Sequence, residues 1–348
     1  MTEDREARCR RFLEGAGWGD AERRVLAADA SFRRYDRLTR GAESVVLMDA
    51  PPPQENARIF HDIASCLLDI GLSAPRPLAM DAEAGFLLLE DFGDRTFTRA
   101  LKEGADEAEL YRLATDTLVE LHRRWWPDVP GLPPYDEDRL LAEAALLVDW
   151  FLPAMTGRET PAALRESYLA AWRAVVPVML AVPHKLVLRD YHVDNLMVVA
   201  GREGIARCGL LDFQDAVIGP ISYDLVSLLE DARRDVSPEV ATEMLARYQD
   251  ALRPLIDRWA FAASYAALGA QRNAKIIGIF TRLSRRDGKH GYLQHISRVW
   301  RLLEGDLRHP ALVPVKDWFD REAPAELRSA PPVPAAGQPA PGQKEAQG

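Results

Sequence analysis

The sequence predicts a two-lobe α+β fold: a small β-rich N-lobe over residues 1–91, a larger helical C-lobe over 92–322, and a disordered Pro/Ala-rich tail over 323–348. Three observations carry this. The chain has 348 residues, and single cores stop growing beyond about 250–300 residues, so two bodies with a cleft are expected. Short β-like runs crowd the region before residue 91, and helical periodicity dominates after it. Between 184 and 212 a few short apolar runs interrupt the helices, the pattern of a platform that carries functional loops.

The elements follow in order. Residues 3–14 have helix-forming composition, closed by Gly15-Ala16-Gly17-Trp18-Gly19. β-like runs span Val25 to Asp49, with Ser44-Val45-Val46-Leu47-Met48 the clearest strand, and Pro51-Pro52-Pro53 ends them because prolines cannot sit in a ladder. Gln54 to Ile70 reads as an amphipathic helix with Ile59, Ile63, Leu67 and Ile70 on one face. Leu78–Met80 and Gly85–Glu90 supply two further strands. Helices are predicted over 107–125, 137–155, 161–180, 222–232, 237–252, 254–284 and 291–304. Lys185–Leu188, Asn195–Val199 and Cys208–Leu211 read as short strands among them, and from Ser329 onward Pro and Ala dominate.

Composition narrows the function. Hydrophobic residues make up 47% and charged residues 28% of the chain, as in a folded globular protein. Lys+Arg 44 against Asp+Glu 53 gives a net charge of -9, which provides no polycationic surface for nucleic acid or anionic lipid. Any phosphate must therefore be held by a local site. Cys9, Cys66 and Cys208 are scattered, without the spacing of a disulfide scaffold or structural zinc. With no signal-peptide core and no 18-residue apolar run, a cytoplasmic monomer without membrane or nucleic-acid partners is expected.

The chemistry concentrates between 184 and 225. Leu188-Arg189-Asp190-Tyr191-His192-Val193-Asp194-Asn195 follows one predicted strand, and Leu211-Asp212-Phe213-Gln214-Asp215 ends another. The first contains Arg-Asp-x-x-x-x-Asn, a loop in which the Asp accepts the proton of an attacking hydroxyl and the Asn binds a divalent cation; the second supplies a metal-binding Asp. Phosphoryl transfer needs positioning and charge neutralisation more than covalent chemistry, and Mg²⁺ favours hard oxygen ligands. Asp190 is thus the candidate catalytic base, and Asn195 and Asp212 the candidate Mg²⁺ ligands, with ATP as phosphate donor. Loop-capping Asp and Asn residues could explain either cluster alone. Both occurring in order, each after a predicted strand and behind a β-rich lobe, favour the functional reading.

Together with Gly219-Pro220-x-x-Tyr223-Asp224-Leu225, these motifs resemble the aminoglycoside phosphotransferase and choline kinase family, over roughly residues 25–305. The resemblance implies a protein-kinase-like fold. Further stretches narrow it: Asp29-Ala30-Ser31-Phe32-Arg33-Arg34-Tyr35, Met48-Asp49-Ala50-Pro51-Pro52, Asp91-Phe92-Gly93-Asp94, Gly278-Ile279-Phe280 and Arg285-Arg286-Asp287-Gly288-Lys289. They are similar to the branch of that family that phosphorylates the C1 hydroxyl of N-acetylmuramate and N-acetylglucosamine in cell-wall recycling. A small-molecule amino sugar is then the expected substrate. Aminoglycoside, choline or homoserine as acceptor, and a pseudokinase-like binding module, are the alternatives.

Two departures from the kinase pattern stand out. No Gly-x-Gly-x-x-Gly occurs between residues 25 and 40, where Asp29-Ala30-Ser31-Phe32-Arg33-Arg34 stands instead. The strand expected to carry the ATP-phosphate lysine has Met48 at that place. Ser31, Phe32, Arg33 and Arg34 are therefore the candidate phosphate contacts, with Arg33 or Arg34 replacing the lysine charge. Glu90, Asp91 and Phe92 form the expected hinge that meets adenine. Substrate contacts are expected from Gln214 and Asp215, then Arg189 and His192, then Arg272 and Lys275. The last two share a long helix with Gln271 and Asn273, where a solvated polar face is the ordinary expectation. Asp224 is expected to cap the helix beginning near Ser222 and to brace the catalytic loop. Trp125 and Trp126 read as packing residues, with sugar stacking the alternative.

Overall fold

The computed structural model describes residues 4–28, 32–125, 129, 131–253 and 255–333. In chain order its elements are α1 (Arg5–Gly15), β1 (Glu22–Ala28), β2 (Arg34–Arg40), β3 (Glu43–Asp49), α2 (Ala57–Asp69), β4 (Pro77–Asp81), β5 (Phe86–Glu90), α3 (Phe97–Lys102) and α4 (Glu107–Arg124). These are followed by α5 (Glu137–Leu146), α6 (Leu152–Thr156), α7 (Ala162–Arg173), α8 (Val176–Met179), β6 (His184–Val187), β7 (Leu196–Val198), β8 (Cys208–Leu210), β9 (Val217–Pro220) and α9 (Tyr223–Leu229). The chain continues through α10 (Pro238–Ala251), α11 (Arg258–Asp287), α12 (Ile296–Asp306) and α13 (Val313–Glu322). None of the described helices is long and apolar enough to cross a membrane.

Contacts divide the described residues into two compact units, one from Met1–Leu132 and Asp190–Ala216, the other from Pro133–Arg189 and Val217–Gly348. The expected boundary at residue 91 falls inside the first. Its frame is an antiparallel sheet in the order β1-β2-β3-β5-β4. β2 and β3 join through a tight turn at Gly41, whose φ of 60° suits glycine. Along β3 and β5 side chains alternate. Val45, Leu47, Phe86 and Leu88 pack with Leu38 against Cys9 and Leu13 of α1. Each such buried side chain contributes about 1.5–3 kcal/mol. Asn56 caps α2 by accepting the Arg58 N–H at 3.0 Å, so this helix starts three residues later than predicted. Its buried stripe is Phe60, Ile63, Ala64 and Leu67, with Ile59 only partly covered. The strands β7 and β8 pair within this unit, Leu196 opposite Leu210.

The second unit is helical apart from β6 and β9, which pair from His184 opposite Pro220 to Val187 opposite Val217. β9, α3 and α13 were not legible in the sequence; Gly219 and Pro220 disguise the first as a loop. The predicted helix over 137–155 is broken by a π-helical turn at Leu147–Phe151. α11 is the axis of the unit, 30 residues long, capped by Asp257 and ended at Gly288 with φ 68°. Gly278 lets it approach α5 closely: a Cβ there would lie 2.3 Å from the backbone carbon of Leu146. Phe151, Trp172, Trp300, Trp318 and Phe319 fill the surrounding core. Because α11 is enclosed, Gln271, Arg272 and Asn273 are buried, which overturns the expected solvated face. Within the expected tail, Ala323 is buried and Arg328 pairs with Glu304 and Asp320 at 3.1 Å each; residues 334–348 lie outside the described residues.

Candidate active site

In the first unit, the loop after Asp190 is a tight turn locked by its own backbone. His192 N–H donates to the Asp190 carbonyl at 3.2 Å, and Asn195 N–H to the His192 carbonyl at 2.9 Å. The Tyr191 hydroxyl anchors the loop on α4 through the Ala114 carbonyl at 2.9 Å, and Asp194 accepts from Thr98 Oγ1 on α3. Leu211 N–H then donates to the Asn195 carbonyl at 3.0 Å, which sets the end of β8 beside the loop. Asn195 Nδ2 donates to the Asp190 carbonyl at 3.0 Å and lies 3.4 Å from Asp212 Oδ2. Asp190, Asn195 and Asp212 are therefore brought together.

Asp212 has φ 58°, a left-handed conformation that Asp tolerates better than most residues. Burial pushes its carboxyl above the ordinary range, with the Asp190 and Asp215 charges adding to the shift; Gln214 and Arg33 pull the other way. Gln214 Nε2 donates to Asp212 Oδ1 at 2.7 Å and to Asp215 Oδ2 at 3.4 Å. The neighbouring Phe213 stacks on Phe60 of α2, centroids 4.7 Å apart. A divalent cation fits this donor set: the Asn195 amide, whose nitrogen lies 3.4 Å from Asp212 Oδ2, and the Asp212 carboxylate both carry hard oxygens, and Gln214 Oε1 is a buried acceptor without a hydrogen-bond donor. Among the described residues no three His, Cys, Asp or Glu side chains converge on an ion, so such a cation would complete its shell with water and phosphate oxygens.

Beside these residues lies a cavity of about 350 Å³. Leu26, Val46 and Leu89 from the sheet and Met197 and Leu211 from the β7–β8 region make its walls apolar, while Asn195 and Asp212 stand at its polar end. Glu90, Asp91 and Phe92, the residues expected at a hinge, line it too, within the first unit. The two acidic side chains are already engaged. Glu90 pairs with Arg202 at 2.5 Å. Asp91 accepts from Arg37 Nη2 at 2.9 Å and from Gly93 N–H at 2.9 Å, and Arg37 Nη1 reaches Asp94 at 2.8 Å. Burial works to raise the Asp91 carboxyl, but the Arg37 guanidinium and the Gly93 N–H outweigh it and hold it below the usual carboxylate range. Phe92 packs on Gly209 of β8, where a Cβ would come within 2.8 Å of the ring and 2.7 Å of Val199.

The phosphate candidates separate. Ser31 lies outside the described residues, and Phe32 is exposed. Arg34 sits on β2 and donates to Asp36 at 3.0 Å. Arg33 turns instead toward Glu55, Asp212 and Asp215. His192 is buried beside Asn195, 3.5 Å between Nε2 and Nδ2.

The remaining candidates belong to the second unit. Asp224, in the first turn of α9, accepts the backbone N–H groups of Leu188 and Arg189 at 2.6 and 2.8 Å. The Arg189 guanidinium meets Glu143 of α5, which also takes Lys275 Nζ at 3.0 Å and the Tyr135 hydroxyl at 2.5 Å. Burial acts to raise the Glu143 carboxyl, and Lys275 and Arg189 overcome it and bring it below the ordinary value. Nothing in the sequence marked Glu143, which lies 46 residues from Arg189. Arg272 is turned inward, donating to the Glu230 carbonyl at 3.2 Å and to Ser227 Oγ at 2.9 Å.

The profile of the phosphotransferase enzyme family matches residues 22–262. The chain is 39% identical to the N-acetylmuramate/N-acetylglucosamine kinase of Caulobacter vibrioides, over 94% of this chain and 99% of that protein. It is also 39% identical to the protein of the same name from Pseudomonas aeruginosa, over 83% and 85%. Among solved structures it resembles an aminoglycoside phosphotransferase in complex with gentamicin, with a TM-score of 0.60 at 15% identity, over 90% of this chain and 99% of that one. The choline kinase LicA from Streptococcus pneumoniae gives a TM-score of 0.58 at 12% identity, over 87% and 99%. The fold is accordingly protein-kinase-like, an N-terminal antiparallel sheet with a mostly helical C-terminal part.

Proposed function

Because this chain belongs to the phosphotransferase enzyme family and is a kinase of alcohol groups, we propose that it transfers the γ-phosphoryl group of ATP to the C1 hydroxyl of N-acetylmuramate and N-acetylglucosamine. The observation that carries the substrate is the 39% identity, across nearly the whole of both chains, to a kinase named for those two sugars. Release of the sugar 1-phosphate into cell-wall recycling and a cytoplasmic setting accord with that reading.

Asp190 orients the sugar hydroxyl and accepts its proton as the oxygen bonds to the γ-phosphorus and the bond to the ADP oxygen breaks. Asn195 and Asp212 would hold Mg²⁺, which when bound supplies positive charge between the phosphates. Gln214 fixes the Asp212 carboxylate through its 2.7 Å hydrogen bond. The apolar walls of the cavity suit adenine, with Glu90, Asp91 and Phe92 at the hinge and Phe32, Arg33 and Arg34 on the phosphate side. Asp215 and His192 are the proposed sugar contacts in the first unit, while Arg189 and Lys275 pair with Glu143 in the second. Arg272, committed to Glu230 and Ser227, is a scaffold residue in this proposal.

The test is ADP release with N-acetylmuramate, N-acetylglucosamine, choline, homoserine and a panel of aminoglycosides, each with ATP and Mg²⁺. Turnover with the two amino sugars is expected. Turnover confined to choline, homoserine or an aminoglycoside would overturn the substrate assignment.

A further inference from the structure

Asp212, which lines the cavity, already faces a cation supplied by this chain. Arg33 Nη1 hydrogen-bonds Glu55 Oε2 at 3.1 Å, while Nη2 lies 3.7 Å from Asp212 Oδ1 and 3.6 Å from Asp215 Oδ2. Only 10% of the Arg33 side chain is exposed, against 48% for Arg34, whose guanidinium is directed to Asp36. Glu55 directly precedes the Asn56 cap of α2, so its place is fixed by a helix terminus. β3 offers no cation here: Val46 lines the cavity, and Met48 shares its face by the two-residue alternation of a strand.

We infer that Arg33 is the phosphate-binding cation of this kinase, that Glu55 is its positioning residue, and that without nucleotide Arg33 serves as counter-ion to Asp212, exchanging that carboxylate for phosphate oxygens when metal and nucleotide arrive. This rests on the cavity being the MgATP site. A guanidinium presents its donors as a planar fork. With Nη1 on Glu55, Nη2 keeps its position at the acidic cluster whether it faces a carboxylate or a phosphate. The ion pair between a strand lysine and a helix glutamate in kinases is thereby replaced by one between a loop arginine and the residue ahead of α2.

The consequence is a pair of effects with opposite signs. Arg33 competes with a bare divalent cation for Asp212 and attracts a phosphate chain. Arg33→Gln is expected to weaken ATP binding in the presence of Mg²⁺ by about tenfold or more, the worth of a charge-assisted hydrogen bond. The same change is expected to tighten binding of Mn²⁺ alone by about threefold, the scale of a partly exposed ion pair. Glu55→Gln should also weaken ATP binding, while Arg33→Lys, which keeps the charge and loses the fork, should fall between wild type and Arg33→Gln. Both affinities are read by titration calorimetry, with circular dichroism confirming the fold. Unchanged ATP affinity in Arg33→Gln overturns the phosphate role, unchanged ATP affinity in Glu55→Gln the positioning role, and unchanged or weaker Mn²⁺ binding in Arg33→Gln the counter-ion role. Failure of the wild-type protein to bind ATP with Mg²⁺ would instead remove the kinase reading of the cavity.

Discussion

Asp224 Oδ1 accepts the backbone N–H of Arg189 at 2.8 Å, and Arg189, with φ 71°, is one of two non-glycine residues with positive φ among those described. A left-handed conformation in an arginine costs about 1–3 kcal/mol and persists where its surroundings over-determine it. Here they do: Asp224 also takes the Leu188 N–H, and Glu143 takes the guanidinium. The strained residue directly precedes Asp190, so the backbone entering the loop that carries Asp190 is held by a buried carboxylate.

Asp224→Asn is therefore expected to act on turnover more than on nucleotide binding. An amide can accept one of the two N–H groups and opposes the other with its own NH₂. A displacement near 1 Å in a reacting group can cost about a hundredfold in rate. Steady-state kinetics should show kcat reduced by about tenfold to a hundredfold with the KM for ATP within about twofold. A raised KM with unchanged kcat would contradict this.

Asp190→Asn removes the proposed proton acceptor while nearly preserving shape. General-base catalysis contributes about 10² to 10⁴ in rate, and a loss in that range is expected in sugar-dependent ADP release. ATP affinity by calorimetry should persist, because Asp190 is not among the proposed nucleotide contacts. Near-normal turnover would remove Asp190 from its role.

Gly278→Ala sets two effects against each other. Alanine gains about 1 kcal/mol over glycine in a helix interior. The new methyl, however, would lie 2.3 Å from the backbone carbon of Leu146 and 2.4 Å from its oxygen, and backbone cannot turn aside as a side chain can. Overpacking of this kind costs about 1–3 kcal/mol, so the clash should win. A lower thermal midpoint is expected; a raised one would mean that α5 yields easily.

Glu230 and Asp306 give stability a pH dependence. Burial raises both carboxyls above their usual range; the Glu230 charge adds to the rise at Asp306, while the hydrogen bond from Asp306 works the other way at Glu230. Asn273 Nδ2 donates to both, at 2.9 and 3.0 Å, while Tyr265 and Arg272 face Glu230 and favour its charged form. Asp306 also lies where a Cβ on Gly269 would stand, 2.8 Å from its oxygens. A folded state that keeps a proton the unfolded chain releases loses stability as pH rises above the ordinary carboxyl range, from about pH 4 upward. Asp306→Asn has no such proton to lose. The difference in thermal midpoint between variant and wild type should move in favour of the variant as pH is raised from 5 to about 8. A difference that is flat with pH would show that the pair does not titrate in this range.

The residues legible in the sequence share one property: their partners are close along the chain. Asp190, Asn195 and Asp212 fall within one short stretch folded by a turn and the β7–β8 pairing, so motif spacing alone placed them together. Arg33 was recognised by type, but its partner Glu55 sits across three prolines and two strands. Glu143 was invisible because it meets Arg189 from 46 residues away. The inward-facing Gln271, Arg272 and Asn273 misled for a related reason. Polarity along α11 suggests water, whereas its neighbours α5, α9 and α12 surround it, and periodicity within one helix carries no record of a second layer. Glu90 and Asp91 had the right address, yet their ion pairs with Arg202 and Arg37 could be read only from the folded chain.

Phe92 lines the cavity while its ring rests on Gly209, a position far away in sequence with no side chain of its own. The hydrogen at Gly209 therefore works as a spacer that sets the depth of the cavity from behind. A methyl added there would drive the ring into the cavity, and a smaller side chain at 92 would make room again. For reshaping the cavity the two positions form a single adjustable part, one turned from outside it and read inside it.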